Sequence, residues 1–266
     1  MLQAPRESPY DWNFTLLGFP VRIAWGFWIV AALLGWNWSL GVDGAATSIG
    51  ATSPGAPALL IVWAFALLLS ILVHELGHTI AFRYYGIRSS IVLYHFGGLA
   101  IPSSFGAWDG ARRGNIGAKE QIVISAAGPA FQLGLAAIVW IIGLVTNIPM
   151  ELTGQLNWFL GTTLPMGDMP GNILSYAVLD AILWPSTVWA VLNLAPILPL
   201  DGGHIMKSLL QINNVNQPTR TAHFVSVVAG ALLGIYFLQS GQPGGIMFLL
   251  FAASNWQAMQ SGYGSF

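Results

Sequence analysis

The sequence predicts an all-α polytopic membrane protein of about six transmembrane helices, with a short membrane-associated β-hairpin after the second helix. Three observations carry this reading. Charged residues make up 7% of the 266 and hydrophobic residues 55%, where soluble domains carry about 25% charge. Six apolar segments, 21–40, 58–82, 121–146, 172–198, 221–239 and 244–260, approach the roughly 20 residues that a bilayer crossing needs. The third observation is the sorting of basic residues. With six alternating spans, Arg6, Arg22, Arg83, Arg88, Arg112, Arg113, Lys119, Lys207 and Arg220 all fall on the side of the N-terminus, while the opposite loops, 41–57, 147–171 and 240–243, have no Lys or Arg. An excess of Lys and Arg marks the cytoplasmic side, so both termini are expected in the cytoplasm of a multi-pass cell or inner-membrane protein.

Composition also excludes classes of function. There is no cysteine, which rules out disulfides and thiolate metal sites, and the net charge of −1 argues against a nucleic-acid partner. Residues 1–19 lack the basic start and short apolar core of a cleaved signal peptide, so the first span is expected to be retained. Trp25, Trp28, Trp36, Trp38 and Trp184 read as interface anchors or packing rather than a cofactor box.

The second span carries the chemistry. His74-Glu75-Leu76-Gly77-His78 places two imidazoles and a carboxylate inside an apolar run, where ionisable groups are costly and mark functional sites. Histidines at i and i+4 share a helix face and can bind one metal ion, and the glutamate between them can serve as general base. His78 lies five residues before Arg83, about 7.5 Å along a helix, which sets the site in the cytoplasmic third of the membrane.

The next segment is different in kind. Residues 90–96 are β-branched and aromatic and are followed by Gly97-Gly98, a strand or hairpin pattern. An unpaired strand edge cannot face lipid, so it is expected to line a cavity or await a partner strand. In the third span, Gly128-Pro129 reads as close helix packing. In the fourth, Asp180 lies near the outer surface and reads as a polar contact at a gate or between helices, with no partner legible in sequence.

A catalytic zinc usually has three protein ligands and one open position. Beyond His74 and His78, the candidates for the third are His95, Asp180, Asp201 and His204. The fourth span runs inward, so Asp201 at its end falls near the depth of His78, whereas Asp180 lies 21 residues earlier. The stretch 193–203 also resists continuous helix, with Pro196, Pro199, Gly202 and Gly203. Broken backbone at membrane depth is tolerated where it lines a buried or hydrated site, which favours Asp201. His95 reads as an interfacial histidine, and His204 and His223 as solvated groups at the cytoplasmic boundary.

At these residues the chain resembles the site-2 protease family of intramembrane zinc metalloproteases. His74-Glu75-Leu76-Gly77-His78 matches its H-E-x-x-H span and Leu200-Asp201-Gly202 its L-D-G motif, with Asn193 and Pro196 fitting the N-x-x-P segment before it. Gly97-Gly98 resembles the glycine pair after the zinc helix, and Ala127-Gly128-Pro129 the third-span A-G-P motif. Where the family often has Asn three residues after that proline, this chain has Gln132. The resemblance implies one membrane-embedded protease domain over 1–266 with a catalytic core at about 58–210. It implies one Zn2+ per chain on His74, His78 and Asp201, Glu75 as catalytic base, and substrate binding by Asn193, Gly97 and Gly98. The implied partner is a transmembrane protein substrate, expected to be single-span, cut near the cytoplasmic face. No PDZ or CBS insertion is visible, so selection would fall to the membrane domain or an adaptor protein. The alternative is a metal or proton transporter using the same His/Asp/Glu cluster; such proteins often show internal repeats and paired broken helices, and here one broken segment and no repeat are seen.

Overall fold

A computed structural model describes residues 6–94, 97–102, 116–242 and 244–261. Its elements run β1 (Trp12–Leu16), β2 (Phe19–Ile23), α1 (Gly26–Ser48), α2 (Ala56–Tyr84), β3 (Ser89–Tyr94), β4 (Gly97–Pro102), α3 (Ala118–Val145), α4 (Glu151–Leu160), α5 (Leu174–Asn193), α6 (Asp201–Ile212), α7 (Pro218–Gln239) and α8 (Gly245–Ser261). The protein is mostly helical, and α2, α3, α5 and α7 are long and apolar enough to cross a membrane. Helices α1 and α8 occupy the first and last expected spans but are not among those four. Asn37, Ser39 and Asp43 dilute the apolar character of α1, and α8 has only 17 residues.

The expected hairpin is part of a larger sheet of order β1-β2-β3-β4. Residues 21–23, assigned from sequence to the first span, form the end of β2 instead. Phe19, Val21 and Ile23 are buried at alternate positions, a period of two that runs into the apolar start of α1 without a polar break and so merges with it in sequence. Leu17 and Gly18 both have positive φ, 50° and 82°, as a two-residue hairpin turn matched to strand twist requires. Strand β2 pairs in parallel with β3, and β3 pairs antiparallel with β4 from Ser89↔Pro102 to Tyr94↔Gly97. The inner face of the sheet, Val21, Ile23, Ile91 and Leu93, packs on Phe27 and Ala31 of α1 and on Leu67 and Ile71 of α2.

Helix α2 is central, with α1, α3, α5, β3 and β4 around it. Small residues set the close approaches. A Cβ at Gly77 would collide with the Ala127 carbonyl of α3, and one at Gly35 with the Trp63 ring. Such contacts hold membrane helices together where no hydrophobic force acts between them. Helices α7 and α8 pack on each other, and α7 meets α6. Two short helices, α4 and α6, lie in stretches read from sequence as connections, and α6 begins at Asp201 immediately after the broken segment 194–200.

Candidate metal centre

The two histidines of α2 are buried, at 4% and 7% exposure, and their Nε2 atoms lie 3.0 Å apart. Each ring is fixed through its other nitrogen. His78 Nδ1 is 2.7 Å from the Ile124 carbonyl oxygen, which can only accept, so Nδ1 carries the proton. His74 Nδ1 is 2.8 Å from Gln132 Oε1. The Gln132 amide is itself oriented, because its Nε2 donates to Ser70 Oγ at 2.8 Å and faces the Pro185 carbonyl at 3.5 Å. With both Nδ1–H groups donated, both Nε2 lone pairs point into the same small space.

Asp201 brings a third donor. Its Oδ2 is 3.0 Å from His74 Nε2 and its Oδ1 3.3 Å from His78 Nε2. Asp201 reaches this point because it opens α6 against the broken segment. A Cβ at Gly202 would strike the Leu194 carbonyl, and one at Gly203 the Ile197–Leu198 peptide. Two imidazole nitrogens and a carboxylate that converge in this way can share one cation. Nitrogen and oxygen donors about 2.0–2.2 Å from a tetrahedral zinc lie about 3.3–3.5 Å from one another. The two Nε2 atoms are 3.0 Å apart, His74 Nε2 is 3.0 Å from Asp201 Oδ2 and His78 Nε2 is 3.3 Å from Asp201 Oδ1, distances at or a few tenths of an ångström below that range. The donor set fits zinc and leaves a fourth position open.

Glu75 is 4% exposed, and a carboxylate oxygen lies within 4.8 Å of both histidine nitrogens. Asp201 comes from outside this turn of α2, and its carboxylate reaches His74 Nε2 at 3.0 Å and His78 Nε2 at 3.3 Å. Glu75 is held from another direction, since the Ala100 N–H of β4 donates to its carboxylate. Gly98 makes that crossing possible, because a Cβ there would overlap the Glu75 carboxyl group. Gly97 has φ 120° and sits 3.8 Å (from its ideal Cβ position) from the Trp189 ring. Behind the histidines, a Cβ at Gly128 would collide with both rings.

Asn193 ends α5, half-buried, at the start of the broken segment. His95 lies outside the described residues. Asp180 is buried away from the histidines and now has partners, accepting from Trp38 Nε1 at 2.9 Å and from the Tyr176 hydroxyl. His204 is half-buried, and His223 bonds to Asn255 Oδ1 at 2.7 Å rather than standing free in solvent. Sequence reasoning gave Gln132 no role at the centre. Only its position three residues after Pro129, where the family often has Asn, hinted at one.

The chain is similar to several known proteins. The chain is 31% identical over 162 residues to sll0528 of Synechocystis, which carries a provisional zinc metalloprotease name, covering 59% of this chain and 34% of that one. It is 28% identical over 247 residues to Rip3 of Mycobacterium tuberculosis, of similar provisional name, covering 87% of this chain and 53% of that one. The chain therefore spans about half or less of the length of the curated relatives it matches. Among solved structures, the site-2 protease from Methanocaldococcus jannaschii aligns with a TM-score of 0.48 and 19% identity, covering 95% of this chain and 94% of that one. The model of Peptidase family M50 matches residues 62–236, from within α2 through most of α7, and so takes in the histidines, Glu75 and Asp201. On that match the chain belongs to Peptidase family M50, the site-2 protease family, and is a membrane protein of that family.

Proposed function

We propose that the chain is an intramembrane zinc endopeptidase that hydrolyses peptide bonds of transmembrane proteins near the cytoplasmic face. The observation that carries this reading is the convergence of His74 Nε2, His78 Nε2 and the Asp201 carboxylate on one point, with Glu75 held beside it by a strand. In this reading His74, His78 and Asp201 hold one Zn2+, which supplies Lewis acidity to a water and to the scissile carbonyl. Glu75 takes the proton from the attacking water and later hands it to the leaving amine. The Ala100 N–H steadies the carboxylate beside the histidine pair.

The substrate must present an extended segment, because a helical peptide bond is shielded by its own side chains. Strand β4 ends the sheet among the described strands and passes directly over Glu75. An unwound substrate segment pairing with it would lie beside the base, a mode of recognition by strand addition. Gly97 and Gly98 would then allow close approach, and the half-buried amide of Asn193 would bond the substrate backbone or its developing oxyanion. The basic-residue sorting supports a cytoplasmic site and cytoplasmic termini, with α1 and α8 completing six spans.

The test is cleavage of single-span membrane proteins by the purified chain in nanodiscs, with and without chelator. The expected outcome is chelator-sensitive cutting that Glu75→Gln lowers by about 10²–10⁴-fold while the variant keeps its zinc. Robust turnover by Glu75→Gln would remove the base from this assignment, and ion flux in vesicles without cleavage would replace the protease with a transporter.

A further inference from the structure

Leu198 lies three residues before Asp201, within the broken segment. Both of its backbone polar groups are taken by side chains from helices outside that segment. Its N–H donates to Ser226 Oγ of α7 at 2.9 Å, and its carbonyl accepts from Asn255 Nδ2 of α8 at 2.6 Å. Ser226 and Asn255 are 0% and 3% exposed. Polar groups buried on apolar helices are costly unless matched, and these two are matched to a single residue's backbone. Their orientation is also fixed. The Ser226 hydroxyl donates to the Ala222 carbonyl at 2.7 Å, which leaves its oxygen to accept from Leu198. His223 Nδ1 sits 2.7 Å from Asn255 Oδ1, which turns Nδ2 towards the carbonyls of Leu198 and Phe251.

From Leu198 to Asp201 the chain has little freedom to absorb a shift. The Leu200 N–H bonds the Ile197 carbonyl at 2.8 Å, and the Leu200 carbonyl accepts from Gly203 and His204 at 3.0 and 3.2 Å. Gly203 abuts the Ile197–Leu198 peptide itself. A displacement of Leu198 is therefore passed on to the start of α6. Metal ligands must hold position within about 0.2 Å, a tolerance that a loosened segment would exceed.

We propose that Ser226 and Asn255 are positioning residues for Asp201, so that α7 and α8, through Leu198, hold the third side of the metal centre. The proposal rests on the reading of Asp201 as a zinc ligand. Asn255 lies beyond the residues matched by the family model, so this half of the grip belongs to the C-terminal helix of the chain itself.

The experiment is Zn2+ affinity, measured by competition with a chromophoric chelator on full-length protein in detergent, together with the melting temperature of the chelated form. Ser226→Ala deletes one oxygen, and Asn255→Asp removes the donor at nearly constant volume. Each is expected to weaken Zn2+ binding by about 10–100-fold, and Ser226→Thr, which keeps a hydroxyl, to stay within about twofold of wild type. Should Asn255→Asp fail to accumulate, the two serine variants decide the matter alone. Wild-type affinity in Ser226→Ala would overturn the proposal, as would a loss that Ser226→Thr leaves unrepaired, since either result makes the contact one of packing. If wild type binds Zn2+ and His74→Ala abolishes it while these variants are unaffected, only the positioning role falls. If wild type itself binds no Zn2+, the metal reading falls and this inference with it.

Discussion

Gln132 Oε1 lies 2.8 Å from His74 Nδ1, and the same amide donates to Ser70, whose hydroxyl accepts from Ser186 at 2.9 Å. The chain of contacts joins α2, α3 and α5 in a fully buried line, with Gln132, Ser70 and Ser186 all at 0% exposure. Its chemical effect is at the far end, where the accepted Nδ1 proton leaves His74 Nε2 as a lone pair facing the metal position.

Removing that acceptor should show first in metal binding. Gln132→Leu is expected to weaken Zn2+ affinity by about 10–100-fold, the usual cost of losing a partner of a ligating histidine. It also leaves the buried His74 Nδ1–H without its acceptor, at about 1–3 kcal/mol of stability, while Ser70 keeps the hydrogen bond from Ser186. Gln132→Glu keeps an acceptor for Nδ1 and should retain most of the affinity. Chelator competition on both variants checks the pair, and equal affinities would show that the amide does not orient the ring.

Gly128 and Gly134 sit on the same helix, and only one of them faces the histidines. An added Cβ at Gly128 meets His78 and His74, whereas at Gly134 nothing lies within 4 Å. Gly128→Ala should therefore lower zinc occupancy sharply, with both rings pushed off position, since overpacking of this kind costs about 1–3 kcal/mol. Gly134→Ala should bind zinc as wild type does and be neutral or slightly stabilising, by up to about 1 kcal/mol. Metal content by elemental analysis after gel filtration separates the two.

The sequence revealed different parts of this molecule to different degrees, and the reason is distance along the chain. His74 and His78 are one turn apart, so helical periodicity alone sets them on one face, with Glu75 on the turn between them. Asp201 is 123 residues beyond His78, yet alternating spans and charge sorting return it to the same depth, and it lies 3.0 Å from His74 Nε2. Gln132 was not legible as a partner of His74, because a longer amide in place of the family's Asn gives no sign of where its oxygen will reach. The β1–β2 hairpin was lost in the apolar run that follows it, and short α4 and α6 have too few turns to stand out from loops. The ties of Ser226 and Asn255 to the Leu198 backbone depend on how α7 and α8 pack, which no local pattern encodes.

Gly98 offers a way to move the base without touching the metal. A side-chain methyl there would occupy the place of the Glu75 carboxyl group, so Gly98→Ala should displace Glu75 or lift β4 and break the Ala100 contact. Zinc content should stay at the wild-type level, because His74, His78 and Asp201 are held from α3 and α6. Cleavage of a single-span test protein should fall by about 10²-fold or more, the scale on which a misplaced general base is felt. Full activity in Gly98→Ala would show that the strand does not set the position of Glu75.

Asp180 should behave in the opposite way, affecting the helix assembly and not the metal. It joins α1 to α5 through Trp38 Nε1 at 2.9 Å, beside a cluster in which Trp63 lies 5.2 Å from Trp38 and 5.9 Å from Trp184 between ring centroids. Asp180→Leu leaves the indole N–H of Trp38 and the hydroxyl of Tyr176 without their acceptor. Interhelical hydrogen bonds in membranes contribute about 0.6 kcal/mol on average and up to about 1.7, so a loss of about 1–2 kcal/mol is expected for the pair. Asp180→Asn retains an acceptor oxygen for Trp38 and should recover about half of that. Neither variant should change Zn2+ affinity, because the side chain belongs to the α1–α5 contact and none of the three candidate ligands is among its partners. Thermal unfolding in detergent and chelator competition, run on the same samples, test both halves, and a drop in metal affinity in Asp180→Leu would mean that the α1–α5 contact is coupled to the centre after all.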